Sequence, residues 1–390
     1  LEWLNLLVRW AHLVVGIAWI GASFYFIWLD DHLEPPKQPE DAAKGVGGEL
    51  WALHGGGFYR AQKYRVAPET LPERLHWFKW EAYWTWITGF ALLVLVYYLD
   101  AELYLIDPAV MPLSVPAAIG IGLASLAAGW VVYDLLCRSP LGANDSALAA
   151  VLLVLLAAAA WGLAQVFSGR GAFIHYGAIL GTIMAANVAM VIIPGQRELV
   201  RAKEQGREPE AKYALAGKQR SVHNTYFTLP VLFVMISNHY AMTFGQRLAW
   251  LVLVVLTVAG ALIRVWFVLR HKAQAPAWPL AAGLLLIALA AGLSAPRPDA
   301  SAGGASFAEV RQVIALRCAG CHAAKPSFPG IAEAPKAVVL ETPERIRRHA
   351  AQIHQQSVLS RAMPPGNVTG LTDPERALLE RWVRSGARIE

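Results

Sequence analysis

Cysteine is nearly absent from this chain, with three among 390 residues. No disulfide framework can be built from so few. Charge is scarce too: 16% of residues are charged and 56% are hydrophobic, with a mean hydropathy of +0.40. That balance excludes an ordinary soluble domain of this length and points to a polytopic membrane protein. No Gly-Lys-Ser/Thr ends the glycine-rich stretch at 45–57, so a phosphate loop is excluded. No small-residue cleavage site follows the first apolar run, which is expected to stay as a membrane helix and not to act as a signal peptide. No internal repeat is visible.

Two of the three cysteines share one short motif, Cys318-Ala319-Gly320-Cys321-His322. Cys-x-x-Cys-His is the c-type haem attachment pattern. The thiols add to the haem vinyl groups and the imidazole ligates the iron. A redox or zinc Cys-x-x-Cys is the rival reading. A zinc site needs further ligands at matching spacing, and the remaining cysteine is Cys137. Haem c is attached outside the cytoplasm, so the motif also gives the C-terminus an address.

Eight apolar spans of roughly 20 residues are expected. They lie at 4–29, 78–99, 117–136, 147–166, 171–193, 222–243, 247–269 and 276–294. The fold class is therefore all-α: an eight-helix transmembrane bundle over residues 1–295, a Pro/Gly/Ala/Ser linker at 296–305 and a C-terminal domain at 306–390. With the C-terminus outside, eight spans place the N-terminus outside as well. Segments 30–77, 137–146, 194–221 and 270–275 then face the cytoplasm. They hold sixteen Lys and Arg, seventeen with Lys79, whereas the external connections hold Arg170, with Arg247 at the edge of span 7. That asymmetry is the positive-inside pattern. The basic pI near 9.2 is topological charge, and no nucleic-acid binding is read from it. Gly177, Gly181, Ala185 and Ala189 recur at four-residue intervals in span 5, which gives either a close-packing face or an ordinary small-residue helix.

The last 85 residues carry two helix-start signatures. Ser306-x-x-Glu309 and Thr372-x-x-Glu375 are capping boxes. Helices at both ends, with the haem motif after the first, resemble a small class I cytochrome c. That resemblance implies a second axial ligand from a loop before the last helix, where Met363-Pro364-Pro365 stands. Methionine ligation raises the potential, as an acceptor needs. His349 and His354 are the rivals.

Histidines fall into two layers of the membrane region. His12, His175 and His239 lie in the outer half, with His12 about 12 Å from its helix end. Two of them could hold a haem b from different helices, with Gly16 letting a flat macrocycle approach and Arg9 meeting a propionate. Helix-end histidines that merely reach the interface are the alternative. Glu81, His223, Asn224 and Arg264 belong to the inner layer, below the loop Gly45–Tyr64 with His54. That loop reads as a glycine- and aromatic-rich cover for a flat polar ligand, or as a packed surface segment.

Several segments together resemble a known family. They are Trp10-Ala-His12 with Gly16-Ile-Ala-Trp-Ile-Gly21, Leu53-His54-Gly-Gly-Gly-Phe-Tyr59, His76-Trp-Phe-Lys-Trp-Glu-Ala-Tyr-Trp-Thr-Trp86, Asn224-Thr-Tyr-Phe-Thr-Leu-Pro230 and Ser237-Asn238-His239. With the appended haem motif, the chain resembles the membrane-bound, cytochrome c-linked bacterial urate oxidases. The resemblance implies oxidation of urate to 5-hydroxyisourate without hydrogen peroxide. Electrons would pass through haem to the C-terminal domain, then to a downstream cytochrome c or terminal oxidase. It also implies the bacterial inner membrane, with lipid around the bundle and both termini periplasmic.

On the physical reading, Arg264 is the anion binder, with His54 and Asn224 also in the substrate site. Glu81 or His223 serves as the base. His322 and Met363 ligate the haem c iron, Cys318 and Cys321 tether that haem, and His12, His239 and His175 are candidates for haem b. Two rival functions stay open. One is a quinol–cytochrome c oxidoreductase, which needs a site open to lipid. The other is a non-enzymatic electron conduit or redox sensor, which needs fewer spans.

Overall fold

A computed structural model describes residues 1–272, 274, 276–295 and 305–389, so nearly all of the expected linker at 296–305 lies outside the described residues. Helices stand at each of the eight expected positions. The first, α1 (Glu2–Asp31), leads through short α2 (Pro39–Ala43) to strands β1 (Val46–His54) and β2 (Gly57–Tyr64). Next, α3 (Trp80–Leu93) widens into a π-turn at Val94–Tyr98, and α4 (Ala101–Tyr104) turns the chain. The bundle continues with α5 (Val115–Arg138) and α6 (Asp145–Ala164). Then α7 (Gly169–Ala186) passes through a π-segment, Asn187–Ile192, into α8 (Ile193–Glu204), making one 36-residue apolar rod. It closes with α9 (Ala211–Ser237), α10 (Ala241–Phe244), α11 (Ala249–His271) and α12 (Trp278–Ser294).

Five helices among the described residues are long and apolar enough to cross a membrane, and α12 is a shorter apolar helix. Their surface is apolar as well. Leu7, Leu13, Val14 and Ile17 of α1 are more than half exposed, a display that soluble proteins avoid. The centre of the bundle is α7, which packs on α3, α5, α6 and α9. Phe173, Tyr176 and Leu180 of α7 are almost fully buried with Leu105, Phe167 and Leu253. Gly177 lets α9 approach: a Cβ there would fall 2.4 Å from a Val234 methyl.

Two features depart from the all-α expectation. The segment Val46–Tyr64 is an antiparallel hairpin, paired from Val46↔Tyr64 to His54↔Gly57. Its two-residue turn is Gly55-Gly56 with φ of +57 and +82, the positive values a tight hairpin turn demands and glycine supplies. Arg60 anchors the base by pairing with Glu49 and Asp41, and this guanidinium holds the Glu49 carboxyl below its ordinary range. The second departure is in span 6. The helix begins at Ala211 and stops at Ser237, because the His239 amide bonds back to Ile236 in a turn. His239 therefore leaves the helix on which it was expected.

The C-terminal domain contains α13 (Phe307–Arg317), α14 (Pro343–Arg348), α15 (Ala350–Ile353) and α16 (Asp373–Arg384). Both capping boxes form, at Ser306/Glu309 and Thr372/Glu375. The terminal helices α13 and α16 meet, with Phe307 and Trp382 rings 6.0 Å apart over a core of Val310, Ile314 and Leu379. The domain rests on the end of the bundle that carries α4 and α10.

Candidate functional site

A cavity of about 590 Å³ opens between α1, α3, α7 and the end of α9. Leu13, Phe90, Leu93, Ile174 and Val231 give it apolar walls, and His12, His239, Arg9 and Arg170 are set among them. Gly16 and Gly181 face each other's helices across it with nothing within 4 Å of where a Cβ would lie. Bare backbone on two sides of an apolar slot, with two imidazoles and two guanidiniums at its edges, suits a flat, anionic, iron-bearing group.

The hydrogen bonds sort the three outer histidines. His12 Nδ1 lies 3.0 Å from Thr88 Oγ1, and that hydroxyl gives its own proton to Trp84 O at 2.6 Å. The Thr88 oxygen therefore accepts from His12 Nδ1–H, which leaves Nε2 with a free lone pair, the state of a ligating histidine. A Cβ at Gly89 would fall 2.9 Å from the His12 ring, so the glycine is what lets the imidazole lie there. His239 is exposed at the cavity wall. His175 is different. It is fully buried, its Nδ1–H donates to Gly171 O at 2.9 Å and its Nε2 accepts from Tyr98 at 3.1 Å. Both nitrogens are used, and His175 does not line the cavity.

The inner residues fall into separate places. His223 and Asn224 join a buried network between α5, α7 and α9. The Tyr133 hydroxyl and His223 Nδ1 share a hydrogen bond at 2.8 Å, Asn187 donates to Tyr133 at 3.1 Å and to Asn224 at 2.8 Å, and Asn224 donates to Met184 O. Arg264 lies elsewhere, 4% exposed, with its guanidinium 3.8 Å from the Phe24 ring centre. Its Nε and Nη2 are buried without hydrogen-bond partners. Those two nitrogens form one edge of the guanidinium, whose parallel N–H bonds grip a planar anion in a bidentate manner. Glu81 stands in the first turn of α3, half-buried, with no ion pair or hydrogen bond to its carboxylate among the described residues. Lys79 lies over the rings of Trp77 and Trp80 instead. His54 is exposed at the hairpin tip, away from the other four.

In the C-terminal domain, His322 Nδ1–H donates to Val338 O at 2.9 Å, again leaving Nε2 bare. Burial pushes the Cys318 thiol up to about 12 and raises Cys321 too. Among the described residues, no group of three or more His, Cys, Asp or Glu is arranged to hold a metal ion. Met363 is half-buried, its carbonyl accepting from Arg376 at 3.0 Å. His349 Nδ1 pairs with Gln352 at 2.5 Å, whereas His354 has a buried Nε2 with no partner.

Sequence reasoning missed Thr88 and Gly89, placed Arg170 only in an external connection, and offered Gly181 as part of a close-packing face, whereas nothing lies within 4 Å of where its Cβ would be. The role of each depends on what packs opposite it, which the residue type alone does not announce. A family model described as Urate oxidase N-terminal matches residues 1–294. No curated protein and no solved structure matches the chain.

Proposed function

The chain belongs to the urate oxidase N-terminal family, and we propose on that premise that it is a membrane-bound oxidoreductase converting urate to 5-hydroxyisourate and passing the electrons to its own C-terminal domain. The family match carries the substrate. The reaction consumes one urate and one water and yields 5-hydroxyisourate, two protons and two electrons, so no hydrogen peroxide is formed. The final recipient is a downstream cytochrome c or terminal oxidase.

The residues fit two haems. His12 and His239 would hold a non-covalent haem b, with Arg9 and Arg170 beside its carboxylates. Cys318, Cys321 and His322 would hold a covalent haem c, with Met363 as the second ligand. Bound there, haem supplies one-electron acceptance. Everything else falls to side chains. The free edge of Arg264 binds the urate anion and the adjoining Phe24 ring excludes water. Glu81 has no competing partner and takes the N–H proton. His223 already has Nδ1 committed to Tyr133, which makes it the weaker candidate for that role. His54 is exposed at the hairpin tip and Asn224 has both ends of its amide committed to Asn187 and Met184, so these two contribute less directly.

Five membrane-length apolar helices, with apolar side chains facing outward, support a multi-pass membrane location. The C-terminal domain rests on the end of the bundle that the charge count assigns to the outside, which supports an even number of spans. One observation favours the quinol reading: the cavity borders Trp10 and Leu13, both more than half exposed, so it is reachable from the lipid side. Anaerobic mixing of the purified holoprotein with urate, then with a quinol, decides between them. Urate-driven change in the haem absorption bands is the expected result. Reduction by quinol alone would establish the rival, and reduction by neither would leave an electron conduit.

A further inference from the structure

We propose that the C-terminal domain has a built docking face on the bundle, with Gly245 and Gly366 as its reciprocal contact points, and that electrons enter the domain through this face. The inference rests on the electron-transfer reading above and adds the place where transfer occurs.

The contact is backbone against backbone. A Cβ at Gly245, in the turn after α10, would lie 1.9 Å from Ser360 O. From the other side, Gly366 sits at φ +56, and a Cβ there would lie 2.6 Å from Leu103 O and 2.8 Å from Ile106 O. Any other residue at either position must push the two domains apart, because a backbone oxygen cannot move aside as a flexible side chain can. Asp107 of the bundle and Asn367 of the domain both line the cavity at this seam.

Both faces are rigid before they meet. On the bundle, Ser168 holds the Leu103–Ile106 turn through its hydroxyl on Tyr104 O at 2.8 Å and its amide on Leu105 O at 2.9 Å. On the domain, buried Arg376 fastens the loop by donating to Ser357 O, Met363 O and Asn367 Oδ1. Arg361 pairs with Asp373 at 2.8 Å. Preorganised faces lose little freedom on docking, so one pose is favoured over loose tethering.

The face also lies where transfer requires it. A second, half-open cavity, of about 680 Å³, lies between the domains and is lined by Arg170, Asn238, Gln246, Arg361, Asn367 and Arg376. Arg170 and Asn238 line the membrane cavity as well. They are joined by a 3.1 Å hydrogen bond, and Tyr97 donates to the same Asn238 oxygen at 2.7 Å. One hydrogen-bonded pair thus belongs to the walls of both cavities, next to His239 on one side and to the Met363 loop on the other. Each electron crossing here oxidises a haem-type donor in the bundle by one and reduces the acceptor at Cys318 and Cys321 by one. No bond or proton changes hands, so proximity is all the face must supply.

The test uses the full-length holoprotein with Cys137→Ser, Asp107→Cys and Asn367→Cys. A short bifunctional maleimide should link the two new thiols rapidly. Adding Gly245→Val or Gly366→Val should lower linking at least fivefold, with both haem contents unchanged by haemochrome spectrum. In the two glycine variants without the cysteine pair, urate-driven reduction of the covalent haem should slow at least tenfold. Failure of the pair to link, or equal linking and equal reduction rates in the glycine variants, would overturn the proposal. The linking arm uses no urate. A chain that links but is never reduced by urate therefore overturns the urate reading and leaves the docking face standing.

Discussion

Thr88 accepts a hydrogen bond from His12 at 3.0 Å while its own proton is committed to Trp84. The threonine therefore sets which imidazole nitrogen of His12 is bare. His12→Ala should remove the non-covalent haem and leave covalent haem intact. Thr88→Val keeps the imidazole but frees its orientation and should weaken haem retention about 10–100-fold, the usual cost of losing an outer-shell partner. His175→Ala should lower thermal stability and leave haem stoichiometry unchanged. Haemochrome quantitation with a melting curve separates these outcomes. Haem loss in His175→Ala alone would reassign the site.

Cys318→Ala with Cys321→Ala should abolish covalent haem, read in denatured, acid-acetone-washed protein. Met363→Ala should lower the potential of that haem, because thioether ligation raises it. His354→Ala should leave the potential unchanged. A potential that moves with His354 and not with Met363 would transfer the axial role to the imidazole whose Nε2 is buried without a partner.

Arg264→Ala should raise KM for urate. Losing a buried charge partner costs about 2–5 kcal/mol, which is roughly 30-fold or more in affinity. Arg264→Lys should recover little, since an ammonium lacks the paired N–H edge. Steady-state kinetics with urate measures both, and a KM unchanged in both variants would move the anion site elsewhere.

Glu81→Gln should lower kcat with urate still bound, by about 10²–10⁴ if it is the base. Tyr133→Phe should act chiefly on stability, by roughly 0.6–2 kcal/mol for a buried membrane hydrogen bond, with kcat within a few-fold of wild type. Should Tyr133→Phe and His223→Ala lower kcat while Glu81→Gln does not, the base lies in the His223 network.

Hydropathy placed a helix at each of the eight positions, five of them among the described residues long and apolar enough to cross a membrane, because a long apolar run has few other fates in a chain so poor in charge. It could not locate what the helices enclose. His12 and His239 were legible as rare polar groups in apolar surroundings, yet nothing in the sequence separates them from His175, which differs only in having Tyr98 and Gly171 within reach. The hairpin was obscured because Val46–His54 lacks strict alternation. Its signal was the Gly55-Gly56 pair, which reads equally as a place for close approach to a ligand and as a hairpin turn. The π-segments at Val94–Tyr98 and Asn187–Ile192 left no mark in the residue pattern, since they arise from packing against neighbours.

The hairpin base should be acid-sensitive. Glu49 is held below its ordinary value of 4.5 in the folded chain, first by its hydrogen bond from Arg60. A carboxyl depressed in this way stabilises fully above its unfolded value, and the contribution is lost as pH falls through the folded one. Protease cutting at the 55–56 turn should therefore stay slow above pH 4.5 and quicken progressively below it. Glu49→Gln should abolish that pH dependence. A profile identical in wild type and Glu49→Gln would show that the base is held by other means.

The 36-residue rod Gly169–Glu204 extends about 54 Å at the helical rise. A bilayer with its headgroups measures about 40–45 Å. One end is seated in the rigid turn with Ser168, so the surplus emerges at the other, where Arg197, Arg201 and Lys203 stand. In a bilayer of that thickness those cations would stand at the level of the lipid phosphates and the water beyond them. There the rod would act as a depth gauge: sinking the bundle would drag its cations into hydrocarbon, and lifting it would strip lipid from the apolar flank of α1. In such a bilayer the cavity between α1 and α7 would be held at one depth from both ends.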